Sequence, residues 1–301
     1  MIDFIYPYSY IAIWLGIIIG IAFTTVCVGI FSAVFFAICI SLGMFRIMPL
    51  FHFINRLFRA LIPEKMLQIE KNIKESFKMT GNTSGLKKDE HYIFMWHPHG
   101  LFPTSLYFHT VSPFTESPQI IKESKTVAFS NLQWLPFTNE IFYETNIIPS
   151  EYYAMKDALK EGSISLSPGG MREGLYEHTA ILLRRRGIFK MALETGTPLV
   201  PIITKGQEQI SKFIDLPKYI QNYLEPFDAC FSIPTLKTIS RFLGILRYPL
   251  KDTIYSIIGE PILVEKINEP NEEQISELRK KYIEALTTMY KKEIGRDLNI
   301  L

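Results

Sequence analysis

The first pattern along the chain is a long apolar run. From Phe4 to Phe45 no residue carries a charge, and Asp3 and Arg46 border the stretch. One helix needs about 20 apolar residues to cross about 30 Å of hydrocarbon. The run therefore predicts a transmembrane hairpin over residues 1–48, with its turn between Gly20 and Val28. Gly16, Gly20 and Gly29 would let the two helices approach closely. One tilted span with an interfacial extension is the alternative. A cleaved signal peptide fits poorly, because a basic leading region is missing and the apolar run is too long. Arg46, Arg56, Arg59, Lys65, Lys71 and Lys74 follow, a basic bias that places everything downstream on the cytoplasmic side. Phe51, Ile54, Leu57, Phe58 and Leu61 recur at helical spacing, as a helix lying on the membrane surface or one packed on the core.

From about residue 90 the period changes. Short β-branched or aromatic runs alternate with helical stretches, the pattern of an α/β domain with a mainly parallel central sheet flanked by helices. Strands are predicted at Tyr92 to Trp96, Thr126 to Ser130, Asn146 to Pro149, Ser163 to Ser167, Leu199 to Thr204 and Thr253 to Ile258. Helices are predicted from Ser150, as N-cap, to Glu161, from Gly187 to Thr195 with Gly196 closing it, and from Glu272 to Ile294. Residues 49–301 thus read as one catalytic-sized domain. The Pro- and aromatic-rich segment 214–250 breaks the alternation as a lid or membrane-contacting insertion.

Composition adds mostly exclusions. A net charge of +2, from 32 basic and 30 acidic residues, gives no global field of the kind nucleic acid would require. The three cysteines, Cys27, Cys39 and Cys230, show no paired spacing, so neither a disulfide framework nor a zinc site is expected.

Three segments carry candidate chemistry. His97-Pro98-His99-Gly100 directly follows a strand, and open α/β sheets bind ligands at the carboxyl ends of their strands. By themselves two histidines at this spacing are metal ligands, catalytic groups or ordinary structural residues. A metal is disfavoured, since no further ligands stand at a recognised spacing. Ser167-Pro168-Gly169-Gly170-Met171-Arg172-Glu173 follows another strand. Adjacent glycines either form a plain tight turn or bring backbone N–H groups close to a developing oxyanion. Arg184-Arg185-Arg186, with Lys190 behind it, concentrates positive charge in a balanced chain. It is either a solvated face or a site for the phosphates of a ligand such as coenzyme A.

In this order the segments resemble the type-2 diacylglycerol acyltransferase family, which includes monoacylglycerol and wax-alcohol acyltransferases. Tyr92 to Gly100 looks like that family's strand and His-Pro-His-Gly block. Arg186 to Pro201 is similar to its Arg-Gly-Phe-x-Lys-x-Ala-Leu block, and Ile258 to Ile262 to its closing Val-Gly-Glu-Pro-Ile strand. The chain departs at Met171-Arg172, where members commonly read Ala-x, and lacks a Tyr-Phe-Pro block before the histidines, so the acceptor alcohol stays open.

The resemblance implies transfer of a fatty acyl group from acyl-CoA to a lipid alcohol, either diacylglycerol or a monoacylglycerol or fatty alcohol. His99 is expected to be the general base, with Glu173 or His97 orienting it. The His-x-x-x-x-Asp dyad of related glycerolipid acyltransferases has no counterpart, because Thr104 and Ser105 stand where the carboxylate would. Pro98, Gly100, Gly169, Gly170, Arg172, Arg184, Arg185, Arg186 and Lys190 are expected to line the substrates. No cofactor beyond acyl-CoA as co-substrate and no covalent acyl-enzyme are expected. The expected partners are the bilayer and its lipids, the expected location the endoplasmic reticulum membrane with the domain facing the cytosol. The chain could act alone or as a homo-oligomer. A lysophospholipid or glycerophosphate acyltransferase, a non-catalytic lipid-binding protein and an ester hydrolase are the competing readings.

Overall fold

The computed structural model describes residues 60, 61, 63–99, 103–112, 114–130, 145–170, 173, 176, 178–207, 210, 213–215, 232–234, 240, 244, 245 and 248–301. The expected hairpin at 1–48 and surface helix at 50–62 lie almost wholly outside these residues, as does most of the insertion at 214–250. Among the described residues no helix is long and apolar enough to cross a membrane.

The chain runs through α1 (Pro63–Ser76), β1 (Phe77–Gly81), β2 (Ile93–His97), α2 (Thr104–Thr110), α3 (Gln119–Lys122), β3 (Lys125–Ala128), β4 (Ile147–Pro149) and α4 (Tyr152–Glu161). It continues through β5 (Ile164–Leu166), β6 (Thr179–Ala180), α5 (Arg186–Thr195), β7 (Leu199–Lys205), β8 (Phe213–Asp215), β9 (Ser232–Pro234), β10 (Ile254–Ile258), α6 (Glu272–Ile294) and β11 (Asn299–Ile300).

Seven strands form one sheet in the order β1-β10-β7-β2-β5-β3-β4. Neighbours from β7 to β4 pair in parallel. At the other edge β10 pairs antiparallel with β7 and parallel with β1, so two strands run against the rest. The mainly parallel sheet expected from the alternation is present, with a reversed edge that the pattern did not announce. Edge strand β1 escaped the sequence reading because Phe77-Lys78-Met79-Thr80-Gly81 buries one position fully and leaves the others partly or wholly exposed. That is too weak a period for a strand signal.

Strand β2 sits in the middle and is buried at every position, as a two-faced parallel strand must be. Its side chains alternate between two packed layers. Ile93 and Met95 join α4, α5 and α6 on one face, whereas Phe94 and Trp96 join Leu106 of α2 and Ile121 of α3 on the other. Continuing the alternation puts His97 on the face covered by α5 and α6.

Helix α6 covers that face with Ile275, Leu278, Tyr282, Leu286 and Tyr290, all buried at spacings of three and four. Each apolar side chain so buried contributes roughly 1.5–3 kcal/mol. The helix opens on a capping box, Asn271 with Gln274, and closes on Gly295 in the left-handed region. Helix α5 closes on Gly196 in the same way. Helix α4 departs from expectation at its start: Glu151, not Ser150, is its N-cap and makes no side-chain cap bond. The Ser150 hydroxyl instead lies 3.3 Å from that of Ser130.

Candidate active site

The histidine segment and the glycine turn meet because the strands that carry them are neighbours. Strands β2 and β5 pair in parallel with Met95 opposite Leu166. Two residues beyond that pair, at the same end of the sheet, lie His97 and Pro168. The chain moves one way from β2 to β3 and β4, then returns by β5 and β7 to both sides of β2. This is the kind of switch point where α/β sheets open a crevice.

Glu173 joins the two segments. It is fully buried, and each carboxylate oxygen accepts a backbone N–H: Oε1 from His99 at 3.2 Å and Oε2 from Ile181 at 3.1 Å. Oε1 also lies 3.8 Å from Nδ1 of His97, within ion-pair reach though long for a hydrogen bond. Burial is the largest influence on this carboxyl and opposes its ionisation. The imidazoles of His99 and His97 and the Ile181 N–H outweigh it and hold Glu173 below the ordinary carboxylate value. A buried negative charge therefore stands at the strand ends.

Gly169 is the residue that makes room for it. A Cβ there would fall 1.8 Å from Glu173 Oε2 and 2.4 Å from its Cδ, so no side chain fits while the carboxylate keeps its place. Gly170 has φ +63° and donates loosely to the Ser167 carbonyl at 3.4 Å, which makes the pair a tight turn. Ser167 Oγ is buried with no hydrogen-bond partner among the described residues.

His97 and His99 are both at least nine-tenths buried, at 0% and 5% exposure. His97 Nε2 lies 3.1 Å from the hydroxyl of Tyr282, also fully buried. Sequence reasoning missed Tyr282, which stands 185 positions from His97 on an amphipathic face where a tyrosine reads as core packing. The other described histidines are elsewhere. His109 stacks on Trp96 in the opposite layer, and burial chiefly, with the charge of Lys122, lowers its pKa to about 3. His91 bonds the Leu159 carbonyl, and His178 the Tyr290 hydroxyl.

The basic cluster divides. Arg185 is half-buried and donates from Nη2 to the Gly169 carbonyl at 2.9 Å, so it braces the glycine turn. Arg186 pairs with Glu272, and Lys190 lies 3.5 Å from Glu194. Arg184 is exposed. Pro98 sits half-buried between the two histidines. Gly100 and Arg172 lie outside the described residues. Among the described residues no group of three or more His, Cys, Asp or Glu could hold a metal ion.

Comparison with known proteins places the chain in a family. The family model for diacylglycerol acyltransferase matches residues 32–296. The chain is 26% identical over 235 residues to diacylglycerol O-acyltransferase 2-like protein 6 of Bos taurus, covering 69% of this chain and 67% of that protein. It is 26% identical over 233 residues to 2-acylglycerol O-acyltransferase 1 of Mus musculus, covering 71% and 68%. It is 28% identical over 225 residues to diacylglycerol O-acyltransferase 2B of Umbelopsis ramanniana, covering 67% and 63%. Among solved structures, a 1-acyl-sn-glycerophosphate acyltransferase from Thermotoga maritima overlaps 88% of this chain and 98% of its own, with 17% identity and a TM-score of 0.48.

Proposed function

Because the chain belongs to the diacylglycerol acyltransferase family, we propose that it esterifies a lipid alcohol with the acyl group of acyl-CoA, with diacylglycerol as acceptor and a monoacylglycerol or fatty alcohol as the alternatives. One observation carries the reading: His99 and the glycine turn leave adjacent parallel strands and meet at one buried carboxylate, that of Glu173, which His99 bonds and against which Gly169 packs.

An alcohol is a poor nucleophile at neutral pH, so a base must take its proton as it attacks. In this mechanism the His99 imidazole removes the hydroxyl proton. The oxygen adds to the thioester carbonyl carbon, and its negative charge passes to the carbonyl oxygen. The Gly169 backbone amide in the turn stabilises that oxyanion, with Ser167 Oγ, buried and without a hydrogen-bond partner among the described residues, as a further donor. The intermediate then collapses, the carbon–sulfur bond breaks, and the coenzyme A thiolate takes the proton that His99 holds. The ester and free coenzyme A are the products. Transfer is direct, with no covalent acyl-enzyme and no cofactor besides acyl-CoA.

Glu173 is anionic in this scheme and favours the imidazolium that His99 becomes. Arg185 keeps the turn in shape, while exposed Arg184, its neighbour in the chain, meets the coenzyme A phosphates. The apolar run from Phe4 to Phe45 holds the domain at the endoplasmic reticulum membrane, facing the cytosol. Acceptors almost insoluble in water reach the site from the bilayer.

The test supplies membranes containing the full chain with labelled acyl-CoA and a panel of alcohols. Triacylglycerol, diacylglycerol or wax ester formation supports the reading and names the acceptor. Phosphatidic acid as the only product would move the chain to a phosphate-bearing acceptor, and no ester at all would leave a lipid-binding protein.

A further inference from the structure

Tyr282 lies on α6, far along the chain from the strand-end segments, yet its hydroxyl reaches His97, whose Nδ1 faces Glu173. Three features fix it there. The alternation of β2 turns His97 toward the α5–α6 layer. Helix α6 is held by its capping box and its row of buried side chains. The Tyr282 ring meets Phe189 of α5 edge-on, with centroids 5.7 Å apart. That leaves the hydroxyl, 3.1 Å from His97 Nε2, as the polar end of a rigid arm.

Resting on the reading of His99 and Glu173 as the reaction centre, we propose that Tyr282 is a positioning residue: its hydroxyl donates to His97 Nε2 and so sets the histidine's tautomer against Glu173. Burial, aided by the charge of Glu173, raises the pKa of Tyr282 well above its ordinary value, so the hydroxyl keeps a proton to donate. A neutral imidazole that accepts at Nε2 carries its proton on Nδ1. Nδ1 is the atom that faces Glu173 Oε1, at 3.8 Å. The carboxylate thereby gains a third N–H directed at it besides those of His99 and Ile181. Orientation passes from α6 through Tyr282 and His97 to Glu173, and from Glu173 to the backbone of His99. His97 is then the orienting histidine of the pair.

The experiment removes the hydroxyl alone. Tyr282→Phe in full-length protein should lower kcat about tenfold, the effect of one lost buried hydrogen bond felt at the reaction centre. KM for acyl-CoA should stay within about twofold, because nothing in the chain of contacts touches that substrate. On a His97→Gln background the same change should cause no further loss, since Tyr282 acts through His97. Leu286→Ala, one turn along the same helix and fully buried, is the packing control: it should reduce thermal stability and leave kcat per folded molecule near wild type. An unchanged kcat in Tyr282→Phe, equal and independent losses in the two backgrounds, or a Tyr282→Phe protein that fails to accumulate where Leu286→Ala does, would each overturn the proposal. His99→Ala assayed alongside separates the two levels: full activity there removes the reaction centre itself, whereas an inactive His99→Ala beside a fully active Tyr282→Phe removes only the role of the tyrosine.

Discussion

Replacing Gly169 by alanine places a methyl carbon where the Glu173 side chain already lies. The new Cβ would stand 1.8 Å from Oε2, 2.4 Å from Cδ and 2.6 Å from the Cβ of Glu173, distances no packed carbon adopts. The turn cannot easily yield, because Arg185 holds the Gly169 carbonyl at 2.9 Å. Glu173 must therefore move, and the first bond lost is the one its Oε2 accepts from Ile181 at 3.1 Å. A hydrogen bond to a buried charge is worth roughly 1.5–3 kcal/mol, and losing the Oε1 bond to His99 as well would double that. If half or more of the loss appears in the transition state, kcat falls by about 10- to 100-fold at 1.4 kcal/mol per decade. The assay is acyl transfer in membranes at matched protein level, with thermal unfolding of the detergent-solubilised chain measured in parallel. A Gly169→Ala protein with more than half of wild-type turnover would refute the reasoning, since the carboxylate would not be where the turn requires it.

Two further outcomes follow from the same contacts. Glu173 titrates below the ordinary carboxylate value of 4.5 when folded, so the stability it supplies is present above that pH and is lost as pH falls through the folded-state value. Glu173→Gln lacks this titration; its deficit in Tm against wild type should be full at pH 7 and shrink below about pH 4.5, as unfolding of the two proteins across pH 3 to 7 would reveal. The basic cluster should separate kinetically: Arg185→Ala, which unbraces the glycine turn, should lower kcat by about tenfold. Arg184→Ala should raise KM for acyl-CoA about threefold with kcat retained, a surface charge contact being worth up to about 1 kcal/mol; steady-state kinetics on both variants distinguishes the roles.

Parallel strands buried on both faces announce themselves in sequence. Ile93–His97, Ile164–Leu166 and Leu199–Lys205 appeared within one or two residues of their predicted bounds because their apolar character is nearly continuous. Helix α6, with a capping box at one end and glycine at the other, appeared at its predicted limits. The histidines and the glycine turn were legible as strand-end segments, and Glu173, along with His97, as a candidate to orient His99. Three things were not. The reversed edge depends on the antiparallel pairing of β10 with β7 and on β1 joining a strand more than 170 positions away. The bond from Arg185 to the Gly169 carbonyl depends on which way one arginine of three points. Tyr282 meets His97 only after α6 has docked on the sheet. Each is a tertiary contact with no local signature.

The most direct test of the account is turnover of His99→Ala in membranes at wild-type abundance, with acyl-CoA and the accepted alcohol both saturating. Loss of a general base predicts a fall in kcat of about 10² to 10⁴-fold with the protein still folded and membrane-bound. Turnover within a few-fold of wild type would contradict it and would leave the strand-end histidines with a structural role alone.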